Sequence, residues 1–172
     1  LDGNGRLGRL LITLMLINDG VLHSCLFYPS FQFKKNRSEY YRQLTSVRER
    51  GTYEEWIEFF CNSLLESAKD SVGSLKNLVD LHNRSTATIT ENLGRTAANG
   101  QRLLGILEEH PIVDTAFIAA QLDIGRSTAS SLVKSFEELG ILRPLDESRQ
   151  RYRQYGYEEY LSILREDAEP IR

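Results

Sequence analysis

The stretch that decides the fold reads LDGNGRLGR over residues 1–9 and is followed by the apolar run LLITLMLI over residues 10–17. Glycines let backbone N–H groups turn towards an anion, and a helix start adds unpaired N–H groups and a favourable dipole. Arg6 and Arg9 stand three residues apart and share one helix face, and guanidinium groups suit phosphate oxygens. Asp2 offers a hard oxygen ligand for the Mg²⁺ that accompanies a nucleotide. The stretch therefore predicts a magnesium–phosphate site.

Two other interpretations of these residues compete with that site. Asp-Gly-Asn-Gly is also ordinary turn chemistry, and the acid can serve simply as a helix cap. Gly3-x-Gly5-x-x-Gly8 matches the dinucleotide-binding fingerprint, but that fingerprint needs a strand before it and a βαβ unit around it. The following patterns are helical and predict no parallel sheet, so we reject the dinucleotide interpretation.

Apolar periodicity predicts a mainly α chain with its first domain over residues 1–94. The first helix, residues 6–19, is apolar on nearly every side, so we expect it to be buried as the hub of a helical bundle. Helices over 30–36 and 38–50 follow, and then a long helix that starts at the capping box Thr52-x-x-Glu55. The polar, β-branched segment 85–90 is a poor helix interior, and we expect the joint between domains within 84–98, although the long helix can extend into it.

The second predicted domain, residues 95–172, consists of short helices and one β-hairpin. Helices are expected over 100–110, 116–122, 127–139 and 157–165, with Thr115 as the cap of the second. Residues 141–145 and 150–155 predict two strands joined by the turn Asp146-Glu147-Ser148-Arg149.

Residues 2–9 resemble the central motif of the Fic-domain family, written HxFx(D/E)GNGRxxR, and every position from the acid onward matches. Tyr28-Pro29-Ser30 and residues 36–42 (NRSEYYR) resemble the segment that follows the motif helix in that family. Its members transfer AMP, or more rarely another phosphate-containing group, from a nucleotide onto a hydroxyl of a target protein. The resemblance implies the C-terminal part of a Fic domain.

The resemblance also implies a role for each matching residue. Asp2 would hold the metal, and Arg6 and Arg9 would bind phosphate oxygens. Tyr40 and Tyr41 would lie beside the nucleoside. The phosphates of Mg-ATP would be cradled by the remaining loop positions, Gly3, Asn4, Gly5, Leu7 and Gly8.

The match has one important departure. The family's catalytic His, the general base, stands three residues before the position of Leu1, and none of His23, His82 and His110 is placed to replace it. We therefore assign no catalytic residue within this chain and expect it to be an inactive piece of a longer enzyme that also lacks the flap that positions the target. The intact parent is expected to be a Mg-ATP-dependent protein adenylyltransferase, moving AMP to a Ser, Thr or Tyr hydroxyl. The target itself cannot be named from these residues.

Residues 118–142, IAAQLDIGRSTASSLVKSFEELGIL, resemble a winged helix-turn-helix, in which the third helix can enter a DNA groove and the hairpin 141–155 forms the wing. The candidate nucleic-acid contacts are polar and basic: Arg126, Ser127, Thr128, Ser131, Lys134, Arg149, Arg151 and Arg153. Against DNA, residues 95–172 carry 10 basic and 13 acidic side chains, a net charge of −3. Winged helices also bind proteins or form dimers, so contact with DNA and contact with protein both stay open.

Composition sets the broad class. With 41% hydrophobic and 26% charged residues and a formal net charge of −3, the chain is typical of a soluble globular protein. The spacing of Cys25 and Cys61 suits no metal site and indicates a reduced, cytoplasmic protein. The apolar run 10–17 is far shorter than the roughly 20 residues that span a bilayer, so no membrane partner is expected. The rival function is a non-enzymatic DNA-binding regulator, with residues 1–94 as a scaffold or homodimer interface.

Overall fold

A computed structural model describes residues 4–22, 29–146 and 153–166, with the side chains of Asn4, Arg6 and Glu166 excepted. The protein is mainly helical over these ranges, as predicted, with one small antiparallel sheet. The elements are α1 (Asn4–Asn18), α2 (Pro29–Lys35), α3 (Arg37–Arg50), α4 (Tyr53–Asn92), a 3₁₀ turn (Gly94–Thr96), α5 (Ala97–Glu109), β1 (Ile112–Asp114), α6 (Thr115–Leu122), α7 (Arg126–Glu138), β2 (Arg143–Pro144), β3 (Gln154–Gly156) and α8 (Glu158–Glu166).

Glycines close two of the predicted helices. Gly51 follows α3 with φ +70°, and its N–H donates to the carbonyl of Val47. Gly140 follows α7 with φ +74°, and its N–H donates to the carbonyl of Glu137. Only glycine adopts this left-handed conformation without strain, which is why the chain leaves the helix there.

The expectation that α1 is buried on all sides is wrong for the residues described. Leu7, Leu10 and Leu14 are each more than half exposed, and so is Met15. The physical reason is that α1 packs mainly on α2, a helix of seven residues that can cover only one side of it. The apolar run 10–17 therefore forms a helix, as predicted, without forming a hub.

Helix α4 continues through the polar segment 85–90 and ends at Asn92. Ser85 and Ile89 are buried there, so tertiary packing outweighs the weak helix propensity of the serines and threonines. The chain forms two compact units, residues 1–75 with 167–172 and residues 76–166. The unit boundary differs from the predicted joint because the C-terminal part of α4 supplies Leu81 and Ile89 to the second core.

The second unit has one continuous apolar core. Leu103, Leu104 and Leu107 of α5 are completely buried, as their three- and four-residue spacing predicts for one helix face. Phe136 of α7 is also completely buried. Gly100 allows α5 to approach α4 closely: a Cβ atom built there would lie 2.7 Å from Cγ2 of Ile89.

The sheet has the strand order β1-β3-β2, with both pairings antiparallel. Tyr155 at its centre pairs with Val113 on one side and Pro144 on the other. Strand β1 was not predicted, because three residues give too short an alternation to recognise. Strand β2 is shorter than the predicted strand 141–145, and β3 lies within and just beyond the end of the predicted strand 150–155. Residues 147–152, which include most of the predicted turn 146–149 and the start of the second predicted strand, lie outside the described ranges.

The helix after β1 is capped by a different residue from the one predicted. Asp114, not Thr115, precedes α6, and its Oδ1 accepts a hydrogen bond of 2.7 Å from the N–H of Phe117. Thr115 is instead the first helical residue. Throughout the ranges described, no helix combines the length and apolar character needed to cross a bilayer.

Candidate functional site

The glycine-rich stretch lies partly outside the structure's described residues. Asp2 and Gly3, the predicted metal ligand and the first glycine, fall outside, as do the side chains of Asn4 and Arg6. The rest forms the first two turns of α1, which begins at Asn4. The helix therefore starts inside the predicted phosphate loop, which puts its unpaired N–H groups at the loop residues.

Arg9 reaches back towards the start of α1. A Cβ atom built on Gly5 would lie 3.4 Å from Nη1 of Arg9, and the Arg9 side chain is half-buried. This direction follows from helix geometry, because long side chains lean towards the N-terminus over the preceding turn. The Arg9 guanidinium therefore lies beside the backbone of Gly5. Leu7 and Gly8, also candidates, are exposed.

The first turn of α1 contains no acidic residue, and no basic residue lies in its last turn. The partial positive charge of the helix N-terminus and the Arg9 guanidinium therefore lie together without a carboxylate in that turn. Chemically, this arrangement attracts an anion. A phosphate group fits it, since guanidinium N–H groups and backbone N–H groups both donate to phosphate oxygens.

Tyr40 and Tyr41 take different positions on α3. Tyr40 is half-buried, with its ring centroid 5.6 Å from that of Trp56 and 5.4 Å from that of Phe33. Tyr41 is 52% exposed, and Cζ of Arg37 lies 5.7 Å from the centre of its ring. The structure thus uses Tyr40 in packing and leaves one face of Tyr41 and a cation beside it accessible.

A charged cluster beside these tyrosines was not among the predicted site residues. Glu39 accepts hydrogen bonds from Arg42 and Gln43, at 2.6 to 2.8 Å, and the bond from Arg42 is the main reason that the pKa of Glu39 is lowered to about 2. Gln43 is buried, and its Oε1 has no hydrogen-bond partner among the described residues. The three-residue spacing of Glu39 and Arg42 was the available sequence signal.

The two described histidines each have a neighbour in the second unit. His82 Nδ1 lies 2.7 Å from Oε1 of Glu108, the His110 ring meets the ring of Phe117 edge-on, and His23 lies outside the described ranges. In the part of the chain that the structure describes, no three His, Cys, Asp or Glu side chains are grouped as metal ligands would be.

Helix α7 separates its apolar and polar residues onto opposite faces. Ala129, Leu132, Val133 and Phe136 are buried. The predicted nucleic-acid contacts on this helix are all exposed: Arg126, Ser127, Thr128, Ser131 and Lys134, together with Ser130. No acidic residue occurs in the first turn, whereas Glu138 further along lies 3.6 Å from the Lys134 ammonium. The structure therefore brings the hydroxyl groups and both cations to one outer face.

The basic residues predicted on the hairpin are only partly described. Arg149 and Arg151 lie outside the described ranges, and Arg153 is half-buried just before β3. The candidate interface described by the structure is therefore the outer face of α7. No protein-family model matches the chain, so its functional assignment depends on its own residues and their arrangement.

Proposed function

We propose that the parent protein is a Mg-ATP-dependent protein adenylyltransferase, and that residues 2–9 of this chain hold the phosphates of the nucleotide. The observation that carries the proposal is the position of Arg9, whose guanidinium lies over the first turn of α1 beside Gly5. The similarity of residues 2–9 to the Fic motif supplies the reaction class.

The electrostatics of this turn support an anionic ligand. A cation at a helix N-terminus is disfavoured by the helix dipole, and the first turn of α1 itself contains no acidic residue. A bound triphosphate removes that repulsion and accepts hydrogen bonds from the same groups. In catalysis, fixed donors of this kind stabilise charge that develops on a transferring phosphoryl group.

The exposed side of α3 supports a nucleoside contact. The Tyr41 ring is accessible, and the neighbouring Arg37 guanidinium adds a second flat group. Aromatic and guanidinium planes both stack on nucleobases. Between the two tyrosines, we assign this contact to Tyr41, since Tyr40 already packs on Trp56.

The proposal assigns the following roles in the reaction. Mg-ATP supplies the AMP group, and a Ser, Thr or Tyr hydroxyl of the target protein accepts it. Asp2 would hold Mg²⁺, and Arg9 with Arg6 would hold the phosphates. The family places its general base ahead of this motif, and we assign that role to none of the residues named here. We place the parent in the cytoplasm, where the exposed free thiol of Cys61 stays reduced.

Calorimetric titration of this chain with Mg-ATP tests the proposal. Arg9→Ala should weaken binding by roughly 10- to 100-fold, the equivalent of a lost charged hydrogen bond of about 1.5–3 kcal/mol. Arg9→Lys should recover part of the affinity, because lysine keeps the positive charge but cannot donate the bidentate pair of hydrogen bonds that a guanidinium offers to a phosphate. Arg102→Ala, at an exposed arginine of α5, is the control. Equal affinity of Arg9→Ala and the unchanged chain would contradict the role of Arg9.

The second unit supports a separate candidate function, that of a winged-helix DNA reader. Its order α5, β1, α6, α7, β2, β3 and its three-stranded sheet fit a winged helix, with α7 as the recognition helix. The observation in favour is the exposed row of hydroxyl groups and cations on α7. Serine, threonine, arginine and lysine are the usual contacts to phosphates and base edges.

Titration with duplex DNA at increasing salt distinguishes DNA contact from protein contact. A DNA reader should bind at low salt and lose affinity steeply as salt rises, because each phosphate contact releases counterions. Arg126→Ala and Lys134→Ala should each reduce the salt slope by about 1. No binding at low salt would exclude DNA and leave the α7 face as a protein contact.

A further inference from the structure

Helix α4 carries a second apolar face that is exposed. Within the first unit this face, the α4 stripe, consists of Tyr53, Ile57, Cys61, Leu65, Val72 and Leu75. Five of these side chains are 44% to 63% exposed, and the Cys61 thiol is free and exposed. Their spacings of three, four and seven residues keep them on one side of a helix that turns by about 100° per residue.

The stripe is distinct from the side of α4 that packs into the first unit. That inward side contains the buried Ser63 and Ser67 and the half-buried Trp56 and Phe59, whose rings pack against each other. Phe59 also packs on the buried Phe33. One helix face therefore suffices for the unit's own packing, and the stripe extends a further apolar face over roughly 33 Å of helix.

We propose that the α4 stripe binds the same stripe of a second copy of this chain, antiparallel, about a twofold axis near residue 64. Near the axis Leu65 of one copy meets Leu65 of the other, and the two ends of the stripe are close to palindromic about this point. In that register Tyr53 lies opposite Leu75 of the partner copy, and Ile57 lies opposite its Val72. A twofold interface requires one surface to be complementary to itself, and this sequence of side chains meets that requirement.

The charges beside the stripe select the antiparallel orientation. Glu58 and Lys69 lie along the same edge of the stripe and are both exposed, centred on the same point of the helix. Antiparallel pairing brings Glu58 of each copy to Lys69 of the other, whereas parallel pairing places these edges on opposite sides of the seam and leaves both charges without a partner in the other copy. Within one chain, Lys69 forms an ion pair with Glu66 at 2.7 Å. Because this pair is exposed, breaking it to form the contact with Glu58 of the other copy costs little free energy.

The interface is modest in size. Six apolar side chains and two charges per copy are fewer than the roughly 20–30 residues per side of a standard stable complex. We therefore expect a dissociation constant in the micromolar range. The interface uses no residue of the glycine-rich loop or of α7, so it is independent of both proposed functions.

Sedimentation equilibrium of the 172-residue chain tests the dimer. Leu65→Glu places two like charges beside the twofold axis and should weaken association by more than tenfold. Asn77→Glu adds the same charge on the opposite side of α4 and should leave association unchanged. Circular dichroism should show equal helix content in both variants.

A charge exchange tests the orientation. Glu58→Lys alone and Lys69→Glu alone should each weaken the dimer several-fold, since each change acts twice in a twofold pair. The double variant should regain the original affinity, whereas in a parallel dimer neither single change would weaken association. A monomer at all concentrations, or a dimer that survives Leu65→Glu, overturns the proposal. A monomer whose Tm falls with Leu65→Glu also overturns it, because another part of the same chain then covers the stripe.

Discussion

The two compact units differ in how many of their apolar side chains are buried. In the second unit eighteen apolar residues form one buried cluster, and Ser85 is the buried polar residue described there. In the first unit the described buried residues are Phe33 and Pro29 with five polar ones: Gln32, Gln43, Ser46, Ser63 and Ser67. Its apolar side chains instead lie on exposed faces of α1 and α4. The second unit completes its core with its own residues, whereas the described part of the first leaves much of its apolar surface exposed.

The largest expected effect tests the core of the second unit. Phe136→Ala should lower the free energy of unfolding by about 3–5 kcal/mol, because the completely buried ring leaves a cavity. Leu7→Ala on α1, where the side chain is 66% exposed, should change it by less than about 0.5 kcal/mol. Urea denaturation followed by circular dichroism measures both. Equal losses in the two variants would remove the contrast between the units.

A smaller effect is expected where α5 meets α4. Gly100→Ala should cost about 1–3 kcal/mol, since its Cβ would lie 2.7 Å from Ile89 and 2.8 Å from Leu93. Gly105→Ala on the same helix meets no atom within 4 Å and should stabilise the protein by about 0.5–1 kcal/mol. Thermal unfolding of the two variants should therefore shift in opposite directions. A gain in Tm for both would show that the contact at Gly100 is loose.

The buried polar contact of the second unit predicts a pH dependence. Burial raises the pKa of Tyr157 to about 12 from an ordinary value of 10.0, against the opposing effect of its hydrogen bond with Ser85, whose Oγ lies 2.8 Å from the Tyr157 hydroxyl. A raised pKa means that the neutral phenol stabilises the fold fully below pH 10. That stabilisation is lost as the pH rises through 12.

Tyr157→Phe should cost about 1 kcal/mol at neutral pH, because the Ser85 hydroxyl loses its partner. The variant should also lose stability less steeply than the unchanged chain between pH 10 and pH 12. Urea denaturation at several pH values compares them. Parallel pH curves for the two proteins would show that Tyr157 does not titrate differently in the folded state.

The sequence predicted the positions of most helices, but it predicted less well which of their faces are buried and which residues cap them. Helices with a clear apolar face, such as α5 and α7, were placed within a few residues, because their spacing directly encodes which side is buried. The burial of α1 was predicted wrongly, since periodicity reports which residues are apolar and not which neighbours exist to cover them. Asp114 and Thr115 are both good caps, and only the backbone shows which of them precedes the helix.

The same limit applies to the candidate sites: residue spacing predicts which side chains share a helix face, but not which other parts of the chain pack against them. The polar residues that were expected to be exposed on the third helix of the second domain, among them Arg126, Ser127 and Lys134, are exposed on α7, while their role as nucleic-acid contacts stays a prediction. The different positions of Tyr40 and Tyr41 could not be predicted, because they depend on Trp56 and Phe33, which lie elsewhere in the sequence. The roles of Asp2, Gly3, Arg149 and Arg151 stay predictions.

The smallest expected effect lies on the surface of the first unit. The pKa of Glu39, about 2, should rise towards its ordinary value of 4.5 in Arg42→Gln, because the hydrogen bond from Arg42 is the largest cause of the shift. The stabilisation from Glu39 is present above pH 4.5 and is lost as the pH falls through 2. NMR titration of the Glu39 carboxyl carbon measures the change. The free energy of unfolding at neutral pH should fall only slightly, since solvent screens this exposed pair.

The aromatic cluster around Phe33 makes the tryptophan fluorescence of the protein specific to one place in the structure. Trp56 is the single tryptophan of the chain, and the rings of Tyr40 and Phe60 lie within 6.0 Å of it. Light absorbed by Tyr40 therefore passes to Trp56, and the emission spectrum reports the surroundings of one place in α4. The proposed nucleotide binding near Tyr41 and the proposed self-association along α4 can be tested by that emission without an added dye, while unfolding confined to α5–α8 leaves the emitting ring itself in place.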